Sequence, residues 1–87
     1  MMNGKVEIRS EEVRYQPVCS WQEGEDGRYI AFGLQCLEGI EGAWKQVDVI
    51  EDVSVHAERV LSMADRFNAL YLSPIHFRDV VMDRLGG

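Results

Sequence analysis

Alternating apolar and polar residues in the first half of the chain predict an antiparallel sheet. The most apolar short run, residues 28–37, is the best candidate for its central strand. The turn sequence at 24–27 precedes this run, and its Asp-Gly pair suits positive φ. Folding back at this turn collects the apolar residues of both arms on one face: Val13, Tyr15, Cys19, Trp21, Ile30, Phe32, Leu34 and Cys36. This sorting predicts a β-hairpin with one apolar face.

Two registers of this hairpin fit the pattern equally well. A two-residue turn at Asp26-Gly27 pairs Glu25 with Arg28, whereas a four-residue loop over 24–27 pairs Glu23 with Arg28. Both registers give the same apolar face. Pro17 lacks a backbone donor, which favours an edge position for the first arm.

Further strands are predicted on both sides of the hairpin. Residues 44–53 form a third strand after a loop at 38–42, with one face carrying Val47, Val49 and Val53 and the other Trp44 and Ile50. Residues 5–9 also alternate, and their apolar parity changes at 10–12, where we expect a bulge or short turn. The sheet therefore has three to four strands.

Two amphipathic helices follow the strands. Ser54 is the predicted N-cap of the first, and its inward residues are Ala57, Val60, Leu61, Ala64 and Phe67. Ser73 caps the second, Pro74 takes its first position, and its inward residues are Phe77, Val80, Val81 and Leu85. The predicted fold is α+β: a small antiparallel sheet followed by two C-terminal helices packed on one face. We expect a single domain over 1–87, with the sheet in 1–53 and the helices in 54–87.

Charge and length narrow the function classes. The 87 residues carry a net charge of −6, and residues 1–53 hold eleven of the fifteen acidic side chains but five of the nine basic ones. This acidic balance disfavours nucleic acid as a partner. No segment approaches the ~18 apolar residues of a membrane span, and the first five residues lack the apolar run of a signal peptide. We expect a cytoplasmic protein that does not bind membranes.

Three segments carry a resemblance to a known family. They are residues 28–33, with Arg28, Tyr29 and Gly33; residues 49–54; and residues 72–81, with Ser73, Pro74, His76, Arg78 and Asp79. Together they resemble a family of small uncharacterised proteins from Gram-positive, clostridia-like bacteria, in which Leu is expected at the position of Phe77. The resemblance implies a free-standing cytosolic bacterial domain and transfers no catalytic residue.

Candidate ligand sites concentrate at the second helix. Ser73, His76 and Arg78 surround its start, where free amides and the helix dipole favour an anion, although ordinary capping also explains Ser73. His76, Asp79 and Asp83 share one side of this helix and contain metal-ligand types. A solvated polar face explains the same three residues, so we expect no metal and no cofactor.

The remaining candidates lie on the sheet. Cys19 and Cys36 fall on the apolar hairpin face, where we expect buried structural thiols rather than a catalytic pair. Tyr29 and Trp44 point away from the face that the helices cover and are candidates for an interface, although the N-terminal arm is a rival cover for Trp44.

These observations predict a non-enzymatic interaction module that forms a homodimer and binds a protein partner. It has no catalytic residue. The alternative is a small-ligand or anion-binding domain that uses the helix start at Ser73.

Overall fold

The computed structural model describes residues 12–86 of the chain. In this range three strands precede two helices, and the sheet is antiparallel with the order β1-β2-β3. The elements are β1 (Val13–Gly24), β2 (Gly27–Ile40), β3 (Ala43–Ser54), α1 (Ala57–Ala69), a 3₁₀ turn (Pro74–His76) and α2 (Phe77–Gly86). The predicted α+β class, with β2 as the central strand, is confirmed. The strand predicted at residues 5–9 lies outside the described residues.

The β1–β2 hairpin follows the predicted register that pairs Glu23 with Arg28, but the four-residue loop predicted with that register is wrong. Glu23 pairs with Arg28, and Gly24 pairs with Gly27, so the connecting turn contains only Glu25 and Asp26. The pairing then continues without interruption to Val13 and Glu38. Odd residues of β1 and even residues of β2 therefore share one face along the whole hairpin, as the pattern predicted.

The β2–β3 connection is tighter than the predicted loop at 38–42. Strand β2 continues to Ile40, which pairs with Ala43, and the turn consists of Glu41 (φ 52°) and Gly42 (φ 82°). Two residues with positive φ define a type I′ turn, whose twist matches that of the flanking strands. The residue pattern missed this turn because Glu41, rather than the Asn or Asp that usually precedes Gly in such turns, occupies its first position.

Two register shifts in β3 change which side chains reach the core. Opposite β2, one shift lies between Cys36 and Leu37 and the other between Phe32 and Leu34. The prediction that Ile50 lies opposite Val53 is wrong: both are buried in the core, while Val47 is exposed. Because each extra residue in one strand changes its side-chain parity, strict alternation along β3 fails at these irregularities.

Gly33 allows β3 to cross β2 closely at the second irregularity. A Cβ built on Gly33 lies 2.0 Å from the backbone oxygen of Ile50 and 2.6 Å from the carbonyl carbon of Glu51. These distances are far below a normal carbon–oxygen contact, so only glycine fits here.

The helix caps agree with prediction at one helix and differ at the other. Ser73 is a cap as predicted, since its hydroxyl accepts a hydrogen bond from the N–H of Ile75, but it caps the 3₁₀ turn, and α2 itself begins at Phe77 instead of at the predicted Pro74. Ser54, in contrast, ends β3, and the N-cap of α1 is His56, whose side chain makes no capping bond. The hydroxyl of Ser54 accepts from the N–H of His56 instead. The predicted Ser54 cap is therefore wrong, because the strand extends further than its apolar pattern.

The core forms where both helices meet the hairpin face. Three aromatic rings lie at its centre: Tyr15 is 5.3 Å from Phe77 and 5.5 Å from Phe67 between ring centroids. The other buried core residues are Leu34, Cys36, Ile50, Val53, Val60, Met63, Ala64 and Val81. Leu61 and Leu85, which we predicted to face inward, are each about half exposed.

Asn68 fastens α1 to the outer edge of β1. Its side-chain amide donates to the backbone oxygen of Tyr15 (3.0 Å), and its oxygen accepts from the N–H of Tyr15 (2.8 Å). The Tyr15 hydroxyl also donates to the backbone oxygen of Leu72 (2.7 Å). The amide thus replaces a neighbouring strand at this position, and the pattern of the sequence contains no signal for it.

We expect Asn68→Ala to lower the free energy of unfolding by about 2 kcal/mol, since it removes two hydrogen bonds and leaves both backbone groups of Tyr15 unpaired. Urea denaturation followed by circular dichroism measures the change. The matched control is Asn68→Gln, whose amide is displaced by one methylene. If Asn68→Ala lowers the free energy of unfolding by no more than an ordinary surface substitution does, the two hydrogen bonds of Asn68 do not hold α1 on β1.

Candidate interaction surface

The hairpin projects beyond the rest of the fold as a two-stranded ribbon. Strand β3 pairs with β2 only as far as Phe32, which faces Ser54. The paired residues from Trp21–Ile30 to Gly24–Gly27 are therefore not flanked by a third strand in the described part of the chain. A two-stranded ribbon alone is marginally stable in water.

No other element of residues 12–86 covers the apolar face of this ribbon. Trp21 is 60% exposed and its cross-strand partner Ile30 is 45% exposed, and Cys19, two residue pairs closer to the core on the same face, is also exposed. Arg28 lies over the Trp21 ring at 4.8 Å from its centroid. The prediction that Cys19 is buried, and that the helices seal the whole apolar face, is wrong.

Element lengths explain why this end of the face stays open. The 13 residues of α1 span about 20 Å, whereas the 14 residues of β2 span about 46 Å. The second helix has 10 residues and packs with Phe77 against Tyr15, near the opposite end of β1. The helices are therefore too short to cover the ribbon. The lengths of the elements could already be compared in this way from the sequence.

An apolar groove joins the ribbon to α1. Its volume is about 270 Å³, and its walls include Pro17, Cys19 and Phe32 from the hairpin and Val60 and Leu61 from α1. The next residue pair on the same face, beyond Cys19 and Phe32, is Trp21 with Ile30. We call Cys19, Trp21, Ile30, Phe32 and Leu61 the hairpin patch.

The outer edge of β1 borders the hairpin patch. The N–H and oxygen of Tyr15 point outward, because Asn68 bonds both of them. In an uninterrupted antiparallel pair alternate residues point the same way, so Cys19, Trp21 and Glu23 also direct their backbone groups outward. Pro17 is also one of these outward-directed residues. Because proline has no N–H to donate, this agrees with the predicted edge position of the strand.

Tyr29 and Trp44, the predicted interface residues, lie on the opposite face of the sheet. The Tyr29 hydroxyl donates to a carboxylate oxygen of Asp52 (2.7 Å), and this hydrogen bond raises the pKa of Tyr29. Trp44 is half exposed, with the Arg14 guanidinium 4.5 Å from its ring centroid. Each aromatic residue thus already has a charged neighbour within its own chain.

An amide ladder crosses the same face. Gln46 donates to Gln35 (2.9 Å), and Gln35 donates to Gln16 (3.4 Å), so three strands are linked by their side chains. This face is therefore largely polar, unlike the hairpin patch.

The predicted anion-site residues are only partly brought together. Ser73 caps the 3₁₀ turn, and His76 is exposed at its end. Arg78 instead forms a bidentate ion pair with Asp48 (2.7 and 3.0 Å) and donates to the backbone oxygen of Val49 (3.1 Å). An anion at Ser73 would compete with Asp48 for Arg78, and anion binding there stays a prediction.

The two thiols differ strongly in environment. Cys36 is fully buried, and burial raises the pKa of its thiol, which keeps it protonated and unreactive near neutral pH. Cys19 is exposed on the hairpin patch. The two are separated by four rungs of the hairpin, since Cys36 pairs with Tyr15 and Cys19 with Phe32.

Metal-ligand residues are dispersed over residues 12–86. Asp79, Asp83 and His76 are all exposed, and no three His, Cys, Asp or Glu side chains in this range are grouped as a metal site requires. No helix in the same range combines the length and apolar character needed to cross a bilayer.

Residues 12–86 define a small α+β protein with a projecting β-ribbon, an exposed apolar patch and, beside the patch, a strand edge that pairs with no other described strand. The chain belongs to the Family of unknown function (DUF6514), whose profile matches residues 3–87. Neither the curated proteins nor the solved structures contain a match to the chain.

Proposed function

We propose that the protein is a non-enzymatic interaction module that forms a homodimer through the outer edge of β1 and the hairpin patch. One observation carries the proposal: Trp21 and Ile30 are half exposed on a ribbon that extends past β3. Large apolar side chains grouped beside a free strand edge are typical of binding surfaces.

A second copy fits this edge because antiparallel pairing is self-complementary. A two-fold axis perpendicular to the sheet sets the same outward backbone groups, those of Cys19 and Trp21, against each other in both copies. The two sheets then join into one, with both hairpin patches side by side on the same face. The adjoining edges of the two patches are then buried against each other, and the two-stranded ribbon of each copy gains a third strand.

Charge favours this edge over other parts of the sheet. Each copy carries a net charge of −6, so like charges oppose most contacts between two copies. Residues 16–22 of β1 contain no charged side chain. Strand pairing along this segment therefore brings no carboxylates together.

The resemblance described above supports a bacterial, clostridia-like source and a cytoplasmic location, and we include both in the proposal.

A different protein that adds its own strand to β1 is the competing occupant of the same edge. Such a partner would leave the isolated chain monomeric, so the mass of the chain in solution separates the two.

Sedimentation velocity tests the proposal over a range of micromolar concentrations. We expect the mass of a dimer for the natural chain and that of a monomer for Trp21→Lys, because the substitution places two cations in the patch. The matched control is Ile75→Lys, which changes an apolar side chain that is 83% exposed outside the patch and keeps the dimer.

Alkylation of the natural thiols gives an independent measurement. The reaction of Cys19 slows as protein concentration rises, because the dimer covers this thiol, while buried Cys36 stays unreactive throughout. A strict monomer whose Cys19 reacts equally fast at all concentrations would rule out homodimerisation.

A further inference from the structure

A second cleft lies on the other side of α1, away from the hairpin patch. Its volume is about 360 Å³, within the range of small-molecule sites. Val53, Met63 and Leu85 supply its apolar surface, and they come from β3, α1 and α2 in turn. Two guanidinium groups, Arg59 of α1 and Arg84 of α2, line the same cleft.

The cleft is locally positive in an acidic protein. Arg59 and Arg84 face one carboxylate, that of Glu58, among the residues that line it. Neither arginine forms an ion pair within residues 12–86, in contrast to Arg78, which is paired with Asp48. Two guanidinium groups that have no such partners in this range, and that line a cavity with both polar and apolar walls, are suited to bidentate contact with an oxyanion.

The start of α1 adds to this positive potential. Ser54, Glu58 and Arg59 line the cleft at the amino-terminal end of the helix. The N-cap residue His56 makes no side-chain capping bond, and the positive end of the helix dipole is opposed only by Glu58 in the first turn. Ser62, one turn further along, adds a hydroxyl donor to the wall of the cleft.

We propose that this cleft binds a small organic anion, a carboxylate or phosphate ester with a short apolar body. Arg59 and Arg84 hold the charged group, the Ser62 hydroxyl donates to it, and the apolar body lies on Val53, Met63 and Leu85. The proposal is independent of homodimerisation, which uses Cys19 and Trp21 at a different surface.

Titration of the full chain with phenyl phosphate, benzoate and inorganic phosphate, followed by amide chemical shifts, tests the site. We expect saturable shifts at Arg59 and Ser62 with at least one of the two aromatic anions, and weaker binding of inorganic phosphate. The aromatic anion with the lower Kd identifies the charged group as phosphate or carboxylate. Arg59→Gln and Arg84→Gln are each expected to raise the Kd about tenfold.

Two controls locate the site. Arg66→Gln removes a guanidinium from the same helix outside the cleft, and Arg78→Gln removes the one that is paired with Asp48; both are expected to leave the Kd unchanged. The absence of saturable shifts with all three anions, or equal Kd values for Arg59→Gln and Arg66→Gln, would overturn the proposal. Equal affinity for inorganic phosphate and phenyl phosphate would overturn the role of the apolar surface.

Discussion

Gly33→Ala is expected to unfold most of the protein at room temperature. The added Cβ would lie 2.0 Å from the backbone oxygen of Ile50, so β3 has to move away from β2 at the point where Ile50 and Val53 enter the core. Overpacking of this kind against backbone costs about 3 kcal/mol or more, and a domain of this size has only ~3–5 kcal/mol of net stability. Urea denaturation followed by circular dichroism is the measurement.

Gly86→Ala is the matched control for this substitution. A Cβ at Gly86 has no heavy atom within 4 Å in the described part of the chain, so we expect a change below about 0.5 kcal/mol. If Gly33→Ala unfolds at the same urea concentration as Gly86→Ala, β3 does not cross Gly33 as closely as described.

Phe77→Ala is expected to lower the free energy of unfolding by about 3–5 kcal/mol. The side chain is 0% exposed, and its ring lies 5.3 Å from that of Tyr15 and 6.4 Å from that of Phe67. Removing it leaves a cavity at the only aromatic cluster formed by residues 12–86 and weakens the attachment of α2 to the sheet. Thermal and urea unfolding measure the loss, and binding of a hydrophobic dye reports any loosened core.

Two variants make this result interpretable. Phe77→Leu keeps most of the volume and introduces the residue expected from the resemblance, so we expect a loss below about 1.5 kcal/mol. Ile75→Ala, two residues away, removes a side chain that is 83% exposed and should be nearly neutral. Equal losses for Phe77→Ala and Ile75→Ala would show that Phe77 does not anchor α2.

Local patterns predicted much of the sheet correctly. Alternation placed Tyr15, Leu34 and Cys36 on one face, and the register observed along the hairpin confirms that face. The pattern succeeds because side chains of an uninterrupted strand alternate strictly between the two faces. It failed in β3, where Ile50 was assigned to the wrong face because two register shifts interrupt the strict alternation of side chains.

The candidate surface was predicted less well. Trp21 and Cys19 were assigned to the apolar face correctly, but their exposure depends on how far the start of α1 reaches along the hairpin. Tyr29 and Trp44 were chosen for their outward direction, and the structure adds their charged neighbours, Asp52 and Arg14.

The sequence alone determined the order of strands and helices, the hairpin turn near 24–27 and the Ser73 cap, because each depends on residues close together in the chain. Tertiary structure decided which part of the apolar face remains open and which arginines come together. Arg59 and Arg84 are 25 positions apart, and they line one cleft only because both helices rest on the same sheet face. Side-chain periodicity describes one element at a time, whereas covering and clustering depend on the lengths and contacts of several elements.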